Sequence, residues 1–166
     1  LNGFIKSADK IFELADELAD FDILLEFLDL GGGLGISYEN EVPPSPLDLI
    51  TCLEDKFKNR KERLILEPGR SISANAGVLL TKVEYIKDNF LIVDAAMNDL
   101  LRPSLYKAHH DVCNVEDKKD NLKKWTVVGP VCESSDFLAK NASLDVHEND
   151  LIVVKNAGAY GFVMAS

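Results

Sequence analysis

The first third of the chain alternates between amphipathic and fully apolar segments. Residues 7–20 place apolar side chains on one side of a helical repeat with acidic residues opposite, which predicts an amphipathic helix. The apolar stripe consists of Ala8, Ile11, Phe12, Ala15, Leu18 and Ala19. Residues 24–30 form a short apolar run that ends in glycines, as is typical of a buried strand. A capping hydroxyl at Ser45 before Pro46 predicts a second helix, and residues 63–66 predict the next strand.

After Arg70 the pattern changes to short β-like runs separated by turns. These runs are residues 78–80, 82–86, 90–93, 126–128 and 151–154. Residues 107–124 are polar and predict an exposed insertion. The order of elements predicts part of an α/β barrel or of a doubly wound sheet, followed by a mostly-β domain. We place the boundary between residues 1–72 and residues 73–166.

Composition and charge narrow the range of partners. The chain is 46% hydrophobic and 28% charged, as in an ordinary folded protein. Its 28 acidic and 18 basic residues give a net charge of -10, which argues against nucleic acid or an anionic membrane as a partner. No apolar run is long enough to span a membrane. The odd cysteines Cys52, Cys113 and Cys132 predict reduced thiols in a cytoplasmic protein.

A glycine-rich loop follows the first predicted strand. The run Gly31-Gly32-Gly33-Leu34-Gly35 leaves backbone amides unobstructed, so it can wrap an anion such as a phosphate. It is not a dinucleotide-binding GxGxxG motif, because Ile36 stands where the last glycine would be, and no Gly-Lys-Ser/Thr of a P-loop follows. The alternative is a plain turn that ends the strand.

A second loop, Glu67-Pro68-Gly69-Arg70, also ends a predicted strand. Arginine offers a fork that matches phosphate or carboxylate, and ligands bind at strand ends in parallel α/β folds. Glu67 could accept a hydrogen bond from a protonated ring nitrogen and hold that ring cationic. A surface turn with a solvated Arg70 is the alternative.

The second half of the chain carries two further pairs of chemically suited residues. Arg102 and Tyr106 would share one helical turn and suit a substrate carboxylate, unless they are only an exposed arginine beside a half-buried tyrosine. Cys132 and Glu133 combine a proton-delivering thiol with a carboxylate that can grip an amine. The alternative is a buried structural cysteine with a solvated glutamate.

Three potential metal ligands occur in the polar segment, His109, His110 and Cys113. Zinc sites built from such residues usually draw on a second cluster, and the sequence offers none. We therefore expect solvated loop residues and no metal site.

Four separated motifs together resemble one family closely: diaminopimelate decarboxylase, a pyridoxal-phosphate enzyme of the alanine-racemase-like fold class. They are the glycine loop, Glu67-Pro68-Gly69-Arg70, Cys132-Glu133-Ser134-Ser135-Asp136 and Gly158-Ala159-Tyr160-Gly161. The segment Arg102-Pro103-Ser104-Leu105-Tyr106 adds a further specific match. The resemblance runs through nearly the whole chain and implies a partial TIM-like barrel followed by a mostly-β C-terminal domain.

The resemblance also implies the reaction and the partners. The reaction would convert meso-2,6-diaminopimelate to L-lysine and CO2, in a homodimer with shared active sites. Pyridoxal phosphate would be bound by Gly32, Gly33, Glu67, Pro68, Gly69, Arg70 and Tyr160. Substrate would be bound by Arg70, Arg102, Tyr106, Glu133 and Tyr160. Cys132 would reprotonate the carbanion, and both Cys132 and Glu133 would reach into the partner subunit's site.

One departure from the family matters. The lysine that binds the cofactor covalently and a histidine that stacks on its ring lie upstream of the glycine loop in the family, and neither position exists in this chain. The family also continues beyond Ser166. We therefore expect an interior and C-terminal piece that is inactive alone. The alternatives are a decarboxylase of carboxynorspermidine, ornithine or arginine, or a non-catalytic paralogue that has lost the lysine.

Overall fold

A computed structural model describes all residues from Leu1 to Ser166. The chain forms two compact units. The first comprises Leu1–Ile36 and Val42–Ser71, and the second comprises Ser37–Glu41 and Ile72–Ser166. No helix is both long enough and apolar enough to cross a membrane.

The first unit contains two helices and two short parallel strands. They are α1 (Asn2–Ala19), β1 (Phe27–Asp29), α2 (Pro46–Phe57) and β2 (Arg63–Ile65). The strands pair in parallel, with Leu28 opposite Leu64. The two helices contribute Ala8, Leu49 and Leu53 to an apolar core that also contains Leu30 and Leu34.

The predicted helices and strands of this unit are present with shifted bounds. Helix α1 begins at Asn2 rather than residue 7, because Phe4 extends the apolar stripe into the same core. Strand β1 is shorter than the apolar run: residues 24–27 are exposed, and of the run only Leu28 and Leu30 are buried. The predicted start of α2 is confirmed: Ser45 Oγ accepts from the Asp48 amide, and the Asp48 carboxylate accepts from the Ser45 amide.

The second unit is a mixed six-stranded sheet in the order β5-β8-β3-β4-β6-β7. Every neighbouring pair is antiparallel except β4 and β6. The outer strands β5 and β7 also lie close to each other, so the sheet forms a nearly closed barrel. Its strands are β3 (Leu79–Lys87), β4 (Phe90–Val93), β5 (Val112–Asn114), β6 (Lys123–Val128), β7 (Phe137–Leu144) and β8 (Leu151–Val154).

Side chains from all parts of this sheet meet in one apolar core. Alternate residues of β4 and β8 are buried, as the period of a strand requires. Fully covered members include Val83, Leu91, Val93, Val127, Leu138, Leu144, Ile152 and Val154. The chain also forms two short helices, α3 (Gly69–Ser73) and α4 (Arg102–Tyr106), and α4 lies close to β7.

The structure confirms most of the predicted β runs, adds a strand that was not predicted and corrects one prediction. Residues 78–80 and 82–86 belong to one strand, β3, and β4 and β8 lie where they were predicted. Strand β7 is the added strand, and its residues lack a clear alternation of apolar and polar side chains. The exposed insertion at 107–124 is wrong in part, because β5 lies within it and pairs with β8, and His110 is only 1% exposed.

Candidate functional site

The two strand-end loops of the first unit meet through their backbones. The Glu67 amide donates to Gly31 O at 2.9 Å, and the Gly31 amide donates to Asp29 Oδ1 at 2.8 Å. A β-carbon at Gly32 would lie 2.3 Å from Glu67 O, so only glycine permits this approach. The glycine loop is therefore one wall of a small backbone cradle, and the Glu67 segment is the other.

This cradle has the features that a phosphate group needs. β-Carbons placed at Gly31 or Gly69 would meet open space, so both backbone stretches are accessible to a ligand. The Ser71 hydroxyl is enclosed and has no hydrogen-bond partner, which leaves a donor for an anion oxygen. The exposed backbone of Gly32 and Gly33, this hydroxyl and the side chain of Arg70 are the kinds of group that bind a phosphorylated cofactor.

In the second unit, Arg102 opens the short helix α4 and is only 7% exposed. Pro103 is tolerated there because it stands in the first turn. Arg102 Nη1 donates to Tyr38 Oη at 2.8 Å and to His110 Nε2 at 3.2 Å. The guanidinium carbon also lies 5.4 Å from the centre of the Tyr160 ring. Two of the predicted substrate-binding residues, Arg102 and Tyr160, are thus neighbours.

The charge of Arg102 has no acidic partner. Its hydrogen-bond partners, a phenol and an imidazole, are neutral, and none of the ion pairs in the structure involves it. A nearly buried cation is costly unless an anion compensates it. The site is therefore suited to an anionic ligand group such as a carboxylate.

Tyr106 completes the same helix but lies in a different environment. The prediction that Arg102 and Tyr106 share a helical turn is confirmed by α4. The exposed-arginine alternative is wrong, since Arg102 is buried while Tyr106 is 63% exposed. Burial of Pro103 beside Arg102 fixes one side of this five-residue helix against the protein.

The segment that carries Cys132 and Glu133 is an exposed loop held by Asp136. The two oxygens of Asp136 accept from the Met97 amide at 2.7 Å and the Val131 amide at 2.8 Å. Asp136 is 5% exposed, whereas Cys132 and Glu133 are both exposed. The alternative of a buried structural cysteine is therefore wrong. The acid of this motif shapes the loop, and the thiol and second carboxylate face outward.

The loop approaches its neighbours closely at two points. A β-carbon at Gly129 would lie 2.6 Å from both Ala96 Cα and Asp136 Oδ2, so glycine is required where the loop begins. Ser104 Oγ donates to Ser135 O at 2.5 Å, which connects helix α4 to the loop. This hydrogen bond links the element of Arg102 and Tyr106 to that of Cys132 and Glu133.

Sequence reasoning missed two residues of this site, Tyr38 and His110. His110 had been assigned to a solvated loop, but it is buried, and its Nδ1 lies 2.9 Å from Lys155 O. Burial, followed by the positive charges of Arg102 and His109, lowers the pKa of His110. Tyr38 precedes Arg102 by 64 positions, and no local sequence pattern predicts a contact over that separation.

Comparisons with known proteins agree on one family. The family model for the C-terminal sheet domain of pyridoxal-dependent decarboxylases matches residues 8–158. Diaminopimelate decarboxylase of Pseudomonas fluorescens is 49% identical over the whole chain, and that of Vibrio cholerae is 46% identical. The chain spans 41% of the length of each of these relatives.

Solved structures give the same result. The crystal structure of diaminopimelate decarboxylase from Helicobacter pylori complexed with L-lysine is 43% identical and superposes with a TM-score of 0.91. The match covers 98% of this chain and 42% of the H. pylori chain.

Proposed function

Because this chain belongs to the family of pyridoxal-dependent decarboxylases, we propose that the whole protein converts meso-2,6-diaminopimelate to L-lysine and CO2. The proposal rests on one observation above all. Arg102 is nearly buried beside Tyr160, and no acid balances its charge. A substrate carboxylate would supply the missing negative charge. The relatives that resemble the whole chain and are named diaminopimelate decarboxylase support this substrate.

The proposed architecture divides the chain at the change of pattern. Residues 1–72 form part of the cofactor-binding TIM-like barrel, and residues 73–166 form a mostly-β domain. The parallel pairing of β1 with β2, joined through α2, supports the barrel assignment because a parallel connection through a helix is its repeating unit.

Pyridoxal phosphate is the proposed cofactor of the whole protein. The backbone cradle of Gly32, Gly33 and residues 67–70 would hold its phosphate, and Tyr160 would contact it. When bound, pyridoxal phosphate supplies a cationic ring that accepts the electron pair left by decarboxylation. Glu67 would keep that ring protonated by accepting a hydrogen bond from its nitrogen.

The remaining site residues would bind and protonate the substrate. Arg70, Arg102 and Tyr106 would hold carboxylates, and Glu133 would hold the ammonium group at the distal end. When the bond between the α-carbon and the carboxylate breaks and CO2 leaves, Cys132 Sγ would donate its proton to the α-carbon. Solvent would then return a proton to the thiolate.

A homodimer with shared sites is part of the proposal. The outward position of Cys132 and Glu133 supports it, because both side chains are available to a second subunit. A cytoplasmic location is supported by the three cysteines, which are free thiols in the structure.

A substrate panel with the full-length protein and pyridoxal phosphate tests the function. We expect release of CO2 from meso-diaminopimelate, with much lower kcat/KM for ornithine, arginine and carboxynorspermidine. Arg102→Lys keeps the charge but loses the fork, and it should raise the KM for diaminopimelate by about tenfold. Equal or better turnover of ornithine would overturn the proposed substrate. Cofactor binding without CO2 release from any substrate would favour a non-catalytic protein.

A further inference from the structure

Both side-chain hydrogen bonds of Arg102 are donated by one of its three side-chain nitrogens, Nη1. Nη1 carries two hydrogens, and Tyr38 Oη and His110 Nε2 accept from it at 2.8 and 3.2 Å. Nε and Nη2 make no hydrogen bond in the structure. The N–H of Nε and one N–H of Nη2 run parallel along the same edge of a guanidinium group, and this edge matches the two oxygens of a carboxylate.

That edge is accessible although the residue is mostly covered. Among enclosed side-chain polar atoms, only Ser71 Oγ lacks a hydrogen-bond partner. Nε and Nη2 of Arg102 also lack a partner, so they do not belong to the enclosed atoms and are open to solvent. The residual 7% exposure of Arg102 is therefore consistent with an open Nε–Nη2 edge.

His110 can accept from Arg102 because its other nitrogen is anchored. Nδ1 lies 2.9 Å from Lys155 O, and a carbonyl oxygen can only accept, so Nδ1 carries the hydrogen. The neutral ring then presents a lone pair at Nε2 toward Nη1. The Lys155 carbonyl therefore determines which nitrogen of His110 faces Arg102.

Tyr38 holds the guanidinium group both at its edge and at its face. Its hydroxyl accepts from Nη1, and its ring centre lies 4.9 Å from the guanidinium carbon. The same ring packs edge-on against His110 with centroids 5.3 Å apart. Tyr38 is 9% exposed, so these contacts are sheltered from water.

We propose that Tyr38 and His110 are positioning residues that occupy Nη1 of Arg102 and so direct its Nε–Nη2 edge toward the substrate carboxylate. The inference rests on the proposed function, since it takes Arg102 to bind that carboxylate. Without the two acceptors the guanidinium group could rotate and offer other edges. Tyr38 and His110 therefore form a clamp that sets the orientation of the Arg102 guanidinium group. The clamp takes no part in the chemical step.

Two matched substitutions at His110 separate positioning from packing. In His110→Gln the side-chain oxygen takes the place of Nε2 and still accepts from Arg102. In His110→Asn the amide takes the place of Nδ1 and keeps only the bond to Lys155 O. In the full-length enzyme we expect His110→Asn to raise KM for diaminopimelate about tenfold with kcat little changed, and His110→Gln to stay within about threefold of wild type.

Tyr38→Phe provides a second, independent test of the clamp. It removes the hydroxyl acceptor and keeps the ring against the guanidinium face. We expect KM to rise several-fold, again with kcat little changed. Equal KM values for wild type, His110→Asn and Tyr38→Phe would overturn the inference, as would equal increases in His110→Asn and His110→Gln.

Crystal structures of the two His110 variants keep this test separate from the test of function. We expect the Arg102 guanidinium group to hold its place in His110→Gln and to lose its Nη1 orientation in His110→Asn. An unmoved Arg102 in His110→Asn would overturn the clamp whatever the substrate is. Failure of the wild-type enzyme to decarboxylate diaminopimelate would overturn the proposed function and leave this structural comparison to decide the clamp.

Discussion

In the second unit, the solvent exposure of each candidate site residue matches the role proposed for it. Arg102, which would bind a charged group of fixed geometry, is buried and held by neutral acceptors. Cys132 and Glu133, which would act on a second subunit's site, are exposed. A guanidinium group that is already immobile binds its ligand more tightly, because its side chain loses less rotamer freedom on binding.

Cys132→Ala tests the proton donor in the full-length enzyme. Removing the thiol should lower kcat about a hundredfold or more, since a positioned acid contributes at least that much. Cofactor binding, followed by the absorbance of the bound cofactor, should be unchanged. Cys113→Ala is the control, because this half-buried thiol on β5 has no proposed role. Loss of cofactor binding with an intact fold would contradict the assignment of Cys132 to proton transfer.

The pKa of His110 predicts a dependence of stability on pH. Its folded pKa lies below the ordinary value of 6.5, chiefly because burial disfavours the charged ring. Above pH 6.5 both folded and unfolded states hold His110 neutral, so stability is unaffected there. As the pH falls through this value toward the folded pKa, the unfolded state binds the proton more readily and stability is lost.

The melting temperature of the full-length protein measures this effect. When the pH is lowered from 7.5 to 5.5, the melting temperature of His110→Gln should fall less than that of wild type, because the substitution removes the group that titrates. His109→Gln serves as the control, since His109 is more exposed and pairs with Asp111. The same loss in wild type and His110→Gln would show that His110 is not the group responsible.

At the scale of elements, the loop from Gly129 to Asp136 depends on a single carboxylate. Asp136 accepts from the amides of Met97 and Val131, which belong to separate segments of the chain. A carboxylate can serve both amides because both of its oxygens are acceptors. Its position fixes the start and the end of the loop that presents Cys132.

Asp136→Asn replaces one of these acceptor oxygens by an NH2 group and leaves a backbone amide unsatisfied. We expect the free energy of unfolding of the second unit to fall by about 1–3 kcal/mol. We also expect kcat to fall because Cys132 is less well positioned. Asp117→Asn is the matched control, since Asp117 is exposed and pairs only with Lys119. Wild-type melting temperature and kcat in Asp136→Asn would refute this role for the loop carboxylate.

The elements also show where sequence patterns fail. Strand β7 contains Ala139, Lys140 and Asn141, and Asn141 has a positive φ of 57°. The strand exists because β6 pairs with it, with register shifts at Val127. Strand β5 is similar, since its three residues gain their conformation by pairing with β8. Pairing between distant segments overrides weak local preference in both cases.

At the scale of the whole molecule, the proposed sharing of sites between subunits is testable by mixing variants. Cys132→Ala and Arg70→Ala should each be nearly inactive. In a mixed dimer, one site would carry both changes and the other neither, because Cys132 would act across the interface. Random reassociation should therefore restore about one quarter of wild-type activity. No recovery on mixing, with mixed dimers present, would place Cys132 in its own subunit's site.

The sequence alone determined the features that depend on near neighbours. The capping box of α2, the glycine turns and the alternation in β4 and β8 are local, because each involves residues only a few positions apart. The motifs around Arg102 and Cys132 were also found from the sequence. Their resemblance to known proteins identified the family of this chain correctly.

Only the tertiary structure decided which side chains are buried together. Tyr38 and His110 bind Arg102, and the Lys155 carbonyl binds His110. Tyr38 and Lys155 lie far from Arg102 in the chain. His110 looks like a solvated residue in its polar segment, yet the folded chain buries it beside Tyr38 and Arg102. Burial is a property of the folded surface rather than of the local pattern, so the clamp on Arg102 could be recognised only after the chain had folded.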